Sequence, residues 1–140
     1  MSNHGIYHLF VYGSLRSGFQ ADAYQYITKY FKLVGSAKVK GRLYDLGAYP
    51  AGIPTTDDAF IIGELYVANG KQEFSWAIGQ LDDYEGVTTE PGEPQLYRRE
   101  LTDAIIDNNN VRAWIYWYNG DVGNSPVITS GDLIEYLKNK

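Results

Sequence analysis

Apolar residues recur along the chain at two spacings, one typical of β-strands and the other of α-helices. Short or alternating apolar runs predict five or six strands, at 6–12, 32–46, 61–67, 96–106 and 111–118. Within the second run, Gly35 and Gly41 mark expected bulges or bends. The last two strands are joined by the polar residues 107–110, which predict a hairpin loop because asparagine tolerates positive φ.

Helical spacing occurs in three places. Apolar residues three and four positions apart predict two substantial helices, at 21–31 and 73–84. Asp132 and Glu135 have capping-box spacing and predict a short helix near the end of the chain. Two stretches that contain proline predict irregular loops, at 47–58 and 88–95.

The order of these elements indicates the fold class. Strands and helices do not alternate strictly, which favours an α+β fold with a curled, mostly antiparallel sheet over a doubly wound one. With 140 residues and no repeat or break in composition, the chain is expected to form a single domain over residues 1–140. Thirteen tyrosines suit either a polar-walled cavity or an aromatic, β-rich core, and the core is the expected use.

Composition removes several kinds of site. The chain has no cysteine, and its two histidines are His4 and His8, so thiol chemistry and disulfides are excluded and a histidine metal site or Ser-His-Asp triad is disfavoured. We expect no metal and no cofactor. A net charge of −5 argues against nucleic-acid binding. Without a membrane-length apolar run or a signal peptide, the expected location is cytoplasmic and no membrane partner is expected.

The first candidate site is the loop after the first predicted strand, Tyr12-Gly13-Ser14-Leu15-Arg16-Ser17-Gly18. Its glycines would let backbone N–H groups converge on an anion such as a carboxylate, with Arg16 at hand. The glycine spacing imitates a phosphate-binding loop, but Phe19-Gln20 stands where Lys-Ser/Thr is required. A tight turn that needs glycine explains the same residues without a ligand.

The second candidate is Leu81-Asp82-Asp83-Tyr84-Glu85-Gly86-Val87, where three carboxylates crowd the end of a predicted helix. The helix C-terminus and the neighbouring like charges favour the protonated form of a carboxylate, which suits general acid–base catalysis. Glu85 is the best placed, whereas Asp82 and Asp83 are interpreted as solvated surface charges. Three surface acids with no function are the alternative.

Two further segments have both a functional and a structural interpretation. Tyr116 and Tyr118 share one face of the last predicted strand, and their hydroxyls would meet a ligand inside a barrel or find partners in the core. At 97–100, a tyrosine and an arginine would line a cavity or form a surface ion pair, and the ion pair is expected.

In this order, FVYGSLRSG, LDDYEGV, LYRRE and AWIYWYNG resemble the gamma-glutamylcyclotransferase-like family, which includes the plant AIG2-like proteins. The resemblance runs from about residue 9 to 118 and is most specific in the pairing of YGSL with LDxxEG. It implies a compact, mostly antiparallel β-barrel flanked by helices.

The resemblance also implies roles for individual residues. Four consecutive residues would hold the γ-glutamyl part of the substrate, partly through backbone groups: Tyr12, Gly13, Ser14 and Leu15. Glu85 matches the family's catalytic glutamate, and Tyr116 matches a late-strand tyrosine that borders the substrate. Family members often carry an Asn-His pair where this chain has Gln20-Ala21-Asp22-Ala23, a difference that bears on substrate preference.

The implied reaction is intramolecular cyclisation of a γ-glutamyl amide to 5-oxoproline, with release of an amine or amino acid and with Glu85 as general acid and base. Because the substrate carries its own nucleophile, the α-amine, the protein needs no covalent nucleophile and no metal. The leaving amine and the oligomeric state stay open. The alternative is a non-catalytic module that binds a small ligand or a partner on the same scaffold.

Overall fold

The computed structural model describes residues 5–13, 27–47, 50–84 and 95–138. The strands in these ranges are β1 (His8–Val11), β2 (Phe31–Asp45), β3 (Pro50–Pro54), β4 (Phe60–Ala68), β5 (Tyr97–Ile106) and β6 (Asn109–Tyr118). The helices are α1 (Lys71–Tyr84) and α2 (Leu133–Lys138). Residues 27–30 are also helical, and the rest of the helix predicted at 21–31 lies outside the described residues, apart from Phe31, which begins β2.

Five of the strands close into a barrel. The strands pair in the order β3-β2-β4-β1-β6-β5, and β2 also pairs with β5, which closes the ring. The pairing of β1 with β6 is parallel, and the other described pairings are antiparallel. β3 extends the sheet from β2 outside this ring. The α+β fold with a mostly antiparallel barrel and flanking helices is therefore confirmed.

Two apolar clusters lie on the two faces of the barrel wall. The inner cluster takes residues from all five barrel strands, among them Phe10, Val39, Leu65, Ala104 and Ile115. The outer cluster joins the other face of the wall to one face of α1, through Phe74, Ala77, Ile78 and Leu81. The stripe predicted for this helix is therefore the face that it buries.

β6 is apolar on both faces because each face is covered. Trp114 and Tyr116 belong to the outer cluster, while Ile115 and Trp117 belong to the inner one. This alternation follows from the two-residue period of a strand, and it places Tyr116 on the side of the wall that faces α1.

The irregular loop predicted at 47–58 is wrong in part, because this stretch contains strand β3. Residues 50–54 pair with β2, from Asp45 opposite Pro50 to Gly41 opposite Pro54. Proline cannot donate to a ladder, but strand ends and edge strands tolerate it. Both prolines occupy the end positions of this strand, so they mark its limits rather than exclude it.

The bulge in β2 matches the prediction, and the hairpin loop between β5 and β6 matches it in part. The register of β2 against β4 shifts between Leu33 and Gly35, which confirms the bulge expected at Gly35. The loop between β5 and β6 is shorter than predicted, because Asn109 pairs with Ile106. Asp107 and Asn108 form the two-residue turn, with φ of 50° and 65°, and asparagine and aspartate tolerate such angles.

The start predicted for the last helix is confirmed. Oδ1 of Asp132 accepts the backbone N–H groups of Ile134 at 3.1 Å and Glu135 at 3.3 Å, as an N-cap does. Among the described residues, no helix has the length and apolar character needed to cross a membrane.

Gly63 lies where β4 passes close to the end of β1. A Cβ added at Gly63 would overlap the carbonyl oxygen of Val11 and lie 2.6 Å from Cζ of Phe10. Because backbone must move to make room, we expect Gly63→Ala to lower the free energy of unfolding by about 1–3 kcal/mol. Urea denaturation followed by circular dichroism measures the change.

Gly79→Ala is the matched control for this substitution. Gly79 is exposed within α1, and an added Cβ would have no atom within 4 Å. Alanine is the better helix former, so the free energy of unfolding should rise by about 0.5–1 kcal/mol. A similar change in both variants would contradict the close packing at Gly63.

Candidate active site

The structure describes three of the residues that the sequence predicts for the site: Tyr12, Gly13 and Tyr116. The other four lie outside the described residues: Ser14, Leu15, Arg16 and Glu85. The described part of the chain ends directly before each of these groups of residues. Gly13 precedes Ser14, and α1 ends at Tyr84, directly before Glu85.

The hydroxyl of Tyr12 links three strands at one end of the barrel. Tyr12 follows the last residue of β1, and 5% of it is exposed. Its hydroxyl donates to the carbonyl oxygen of Tyr116 at 2.5 Å and accepts the backbone N–H of Gly52 at 3.2 Å. The tyrosine therefore holds the beginning of the glycine loop against β6 and β3.

β3 lies against the same loop. A Cβ added at Gly13 would lie 3.3 Å from Cγ of Pro50. The carbonyl oxygen of Pro50 accepts a hydrogen bond of 2.6 Å from the hydroxyl of Tyr97, the first residue of β5. Tyr97 and Tyr12 thus fasten β3 to the barrel wall beside Gly13.

The side chain of Tyr116 reaches the last turn of α1. Its hydroxyl donates to Oδ1 of Asp82 at 2.8 Å, and 3% of the residue is exposed. Because the carbonyl oxygen of Tyr116 accepts the hydrogen bond from Tyr12, one residue contacts both the start of the glycine loop and the end of the helix that precedes Glu85.

Arg99 completes the surroundings of Asp82. Its Nε donates to Oδ1 at 2.8 Å and its Nη2 to Oδ2 at 3.1 Å, which is the two-point geometry that arginine forms with carboxylates. The guanidinium carbon lies 4.5 Å from the ring centroid of Trp114, at a cation–π distance. The side chains of Asp82 and Arg99 are 14% and 21% exposed, so the pair is largely shielded from water.

The interpretation of Asp82 as a solvated surface charge is wrong, while Asp83 is exposed as expected. Asp82 follows Ile78 by four residues, and residues at this spacing are neighbours on a helix surface. It therefore lies at the edge of the face that α1 buries. The four-residue spacing from Ile78, together with an arginine on a later strand, is the sequence signal that Asp82 is shielded from water.

Arg98 and Arg99 behave differently because they lie on opposite faces of β5. The expected surface ion pair forms at Arg98, whose Nε lies 2.8 Å from Oε2 of Glu100. Arg99 stands between Tyr97 and Leu101, which both pack in the outer cluster. The alternation of the strand, applied to its charged residues, would have placed Arg99 on the face that α1 covers.

His8 lies at the other end of β1. It begins the strand, and burial lowers the pKa of its imidazole. At about 3.3 Å per strand residue, the four steps to Tyr12 are roughly 13 Å. In the ranges that the structure describes, no three or more His, Asp or Glu side chains form a group that could hold a metal ion.

The chain belongs to the family described as gamma-glutamyl cyclotransferase, AIG2-like, which matches residues 9–135. A relative from Methanocaldococcus jannaschii, named "Putative gamma-glutamylcyclotransferase MJ1514", is 30% identical over 132 residues. The match covers 92% of this chain and 97% of the relative. The family and this relative support an activity of the gamma-glutamylcyclotransferase type.

Solved structures share the fold. YkqA of Bacillus subtilis has a TM-score of 0.70 at 26% identity, over 96% of this chain and 43% of YkqA. This chain therefore spans less than half of that protein. An AIG2-like protein of Mus musculus has a TM-score of 0.61 at 19% identity, over 83% of this chain and 79% of its own. The barrel is thus the fold of AIG2-like proteins.

Arg99→Met tests the strength of the shielded ion pair. Methionine keeps much of the aliphatic stem beside Trp114 but removes the hydrogen bonds to Asp82. Since the carboxylate would stay in a poorly solvated place without this partner, the free energy of unfolding should fall by about 1.5–3 kcal/mol. Urea denaturation at neutral pH measures the loss.

Arg112→Met is the control on the neighbouring strand. Arg112 pairs with Asp103 at 3.3 Å, and the two side chains are 51% and 57% exposed. An exposed pair of this kind contributes less than about 1 kcal/mol. Equal losses in the two variants would show that shielding adds nothing to the pair at Asp82.

Proposed function

We propose that this protein cyclises γ-glutamyl amides to 5-oxoproline and releases the amine or amino acid, with Glu85 as general acid and base. The observation that supports this proposal is the double contact of Tyr116, through its carbonyl oxygen with Tyr12 and through its hydroxyl with Asp82. Ser14 follows Tyr12 by two residues, and Glu85 follows Asp82 by three. Tyr116 thus ties together the two segments to which the family resemblance assigns substrate binding and catalysis.

In this proposal the glycine loop recognises the γ-glutamyl half of the substrate. Backbone N–H groups between Gly13 and Arg16 would donate to the α-carboxylate and to the oxyanion that forms on the γ-carbonyl. Tyr12 and Tyr116 stay proposed substrate-binding residues, and their contacts favour a role in shaping the site, because both hydroxyls bond within the protein.

The reaction needs one proton carrier. Glu85 takes a proton from the α-ammonium, and the freed α-nitrogen attacks the γ-carbonyl carbon to close the five-membered lactam. The C–N bond of the amide then breaks as Glu85 returns the proton to the leaving nitrogen. The attacking nitrogen loses its second proton through the same carboxylate, and that proton ends on the released amine, so the products are the neutral lactam and an ammonium. Because nucleophile and carbonyl belong to one molecule, their attack is favoured by about 7–11 kcal/mol over an attack between separate molecules.

Glu85→Gln tests the catalytic assignment. Glutamine keeps the size and hydrogen-bonding shape of the side chain but carries no transferable proton at neutral pH. Turnover should fall by roughly 100-fold or more, the usual scale of general acid–base assistance, while substrate binding persists. The readouts are 5-oxoproline release by mass spectrometry and substrate affinity by calorimetry.

Glu100→Gln is the control for this substitution. Glu100 is an exposed carboxylate on β5 that pairs with Arg98, so the same chemical change there should leave turnover unchanged. Wild-type turnover in Glu85→Gln would show that another group carries the proton.

A panel of γ-glutamyl compounds separates the enzyme from the binding-module alternative. The panel holds γ-glutamyl amino acids, γ-glutamylamines and γ-glutamyl-lysine, which share the recognised half and differ in the leaving amine. Release of 5-oxoproline from at least one member supports the enzyme, and the relative rates rank the leaving groups. Binding without release from any member would instead support the module.

Several narrower expectations stay predictions beside this proposal. They are the single domain over residues 1–140, the absence of a cofactor, the cytoplasmic location, and a small-molecule partner in place of nucleic acid or membrane. The oligomeric state has no assignment.

A further inference from the structure

We propose that Asp82 is a positioning residue for this reaction. Asp82 fixes the last turn of α1 and thereby the place where the chain continues to Glu85. The inference rests on the proposed function, because it assigns Asp82 a role that acts through Glu85 and not through contact with the substrate.

An aspartate at this position needs support from outside its own helix. Asp82 lies in the last turn of α1, which contains no basic residue, and the free carbonyl groups of a helix C-terminus disfavour anions. The side chain is also 14% exposed, so little water solvates it. Arg99 and Tyr116 compensate with three hydrogen bonds to its two oxygens.

The two residues that hold Asp82 are fixed relative to each other. Arg99 of β5 lies directly opposite Tyr116 of β6 in the antiparallel register. The backbone ladder of the barrel therefore fixes the two positions from which these side chains extend. Asp82 bonds the end of α1 to both of them.

The apolar contacts of α1 do not give the same precision. Phe74, Ala77, Ile78 and Leu81 bury one face of the helix in the outer cluster. Such burial is non-directional: it keeps the helix on the barrel but does not strongly fix its rotation or its position along the axis. The two-point pair with Arg99 is directional, so it defines where the helix ends.

Precision at this point matters for proton transfer. A general base must lie within hydrogen-bond reach, about 2.6–3.2 Å, of the proton that it takes. A displacement of about 1 Å can lower the rate by about 100-fold. Loosening the end of α1 should therefore lower kcat and leave KM nearly unchanged, because Asp82 is not placed on the substrate.

Asp82→Asn tests the role. Asparagine keeps the shape and one acceptor oxygen but loses the charge and the second acceptor for Arg99. We expect kcat for 5-oxoproline release to fall by about 10- to 100-fold and KM to change by less than about threefold. Asp83→Asn makes the same change at the exposed neighbouring position and should keep wild-type kcat.

Combining Asp82→Asn with Glu85→Gln shows whether Asp82 acts through Glu85. If it does, the double variant should have the residual rate of Glu85→Gln alone, within about twofold, because misplacing a group that no longer transfers protons costs nothing more. The same fold-loss in both backgrounds would overturn the proposal, since it would indicate a general loosening of the protein.

If Asp82→Asn does not fold, Tyr116→Phe tests in its place whether the contact at Asp82 acts through Glu85. It removes one hydroxyl that donates to Asp82 and keeps the ring in the outer cluster. The expected result is again a loss in kcat that vanishes in the Glu85→Gln background. A loss confined to KM would overturn the proposal.

The two proposals fail in different ways. Wild-type turnover in Glu85→Gln, or no turnover of any γ-glutamyl compound, overturns the proposed function and the positioning role with it. An inactive Glu85→Gln beside an Asp82→Asn that is as active as Asp83→Asn overturns the positioning role alone.

Discussion

The carboxylate of Asp82, held between Arg99 and Tyr116, is the contact through which the last turn of α1 takes a defined place on the barrel. A helix that ended here without it would have an anion beside its own free carbonyl groups, an arrangement that costs about 0.3–1 kcal/mol even when exposed to water. Partial burial adds to that cost. The arginine and the tyrosine turn an unfavourable residue into a directional link between the end of α1 and the barrel wall.

The strand order explains why these pieces meet at one end of the barrel. β1 and β6 run parallel, with Leu9 opposite Trp114, so the end of β1 lies beside the end of β6. β5 runs antiparallel to β6 and therefore begins at that same end. The glycine loop leaves the barrel there, and Tyr12 reaches the carbonyl oxygen of Tyr116. Long-range proximity in this site is thus a consequence of one parallel pairing in an otherwise antiparallel sheet.

Local pattern predicted the parts of this structure that local physics decides. The strands with strong alternation, the apolar stripe of α1 and the Asp132 cap could be predicted because each depends on neighbouring residues. β3 could not, because its two prolines argue against a strand until the pairing with β2 shows them at its ends. The interpretation of Asp82 is wrong for a related reason: its partners, Arg99 and Tyr116, are 17 and 34 residues away, and the packing of α1 against β5 and β6 brings them to it.

The tyrosines bear on the proposal that a carboxylate, and not a phenol, carries the proton. The sequence suggested a cavity wall or an aromatic core for them, and the structure adds a third use: their rings pack while their hydroxyls bond to parts of the chain that are distant in sequence. The hydroxyl of Tyr97 donates to the carbonyl oxygen of Pro50, that of Tyr12 to the carbonyl oxygen of Tyr116, and that of Tyr136 to Oδ2 of Asp45. A phenol that donates in this way would lose a structural hydrogen bond by giving up its proton. The glutamate of the proposal, Glu85, would carry the proton and leave those hydrogen bonds intact.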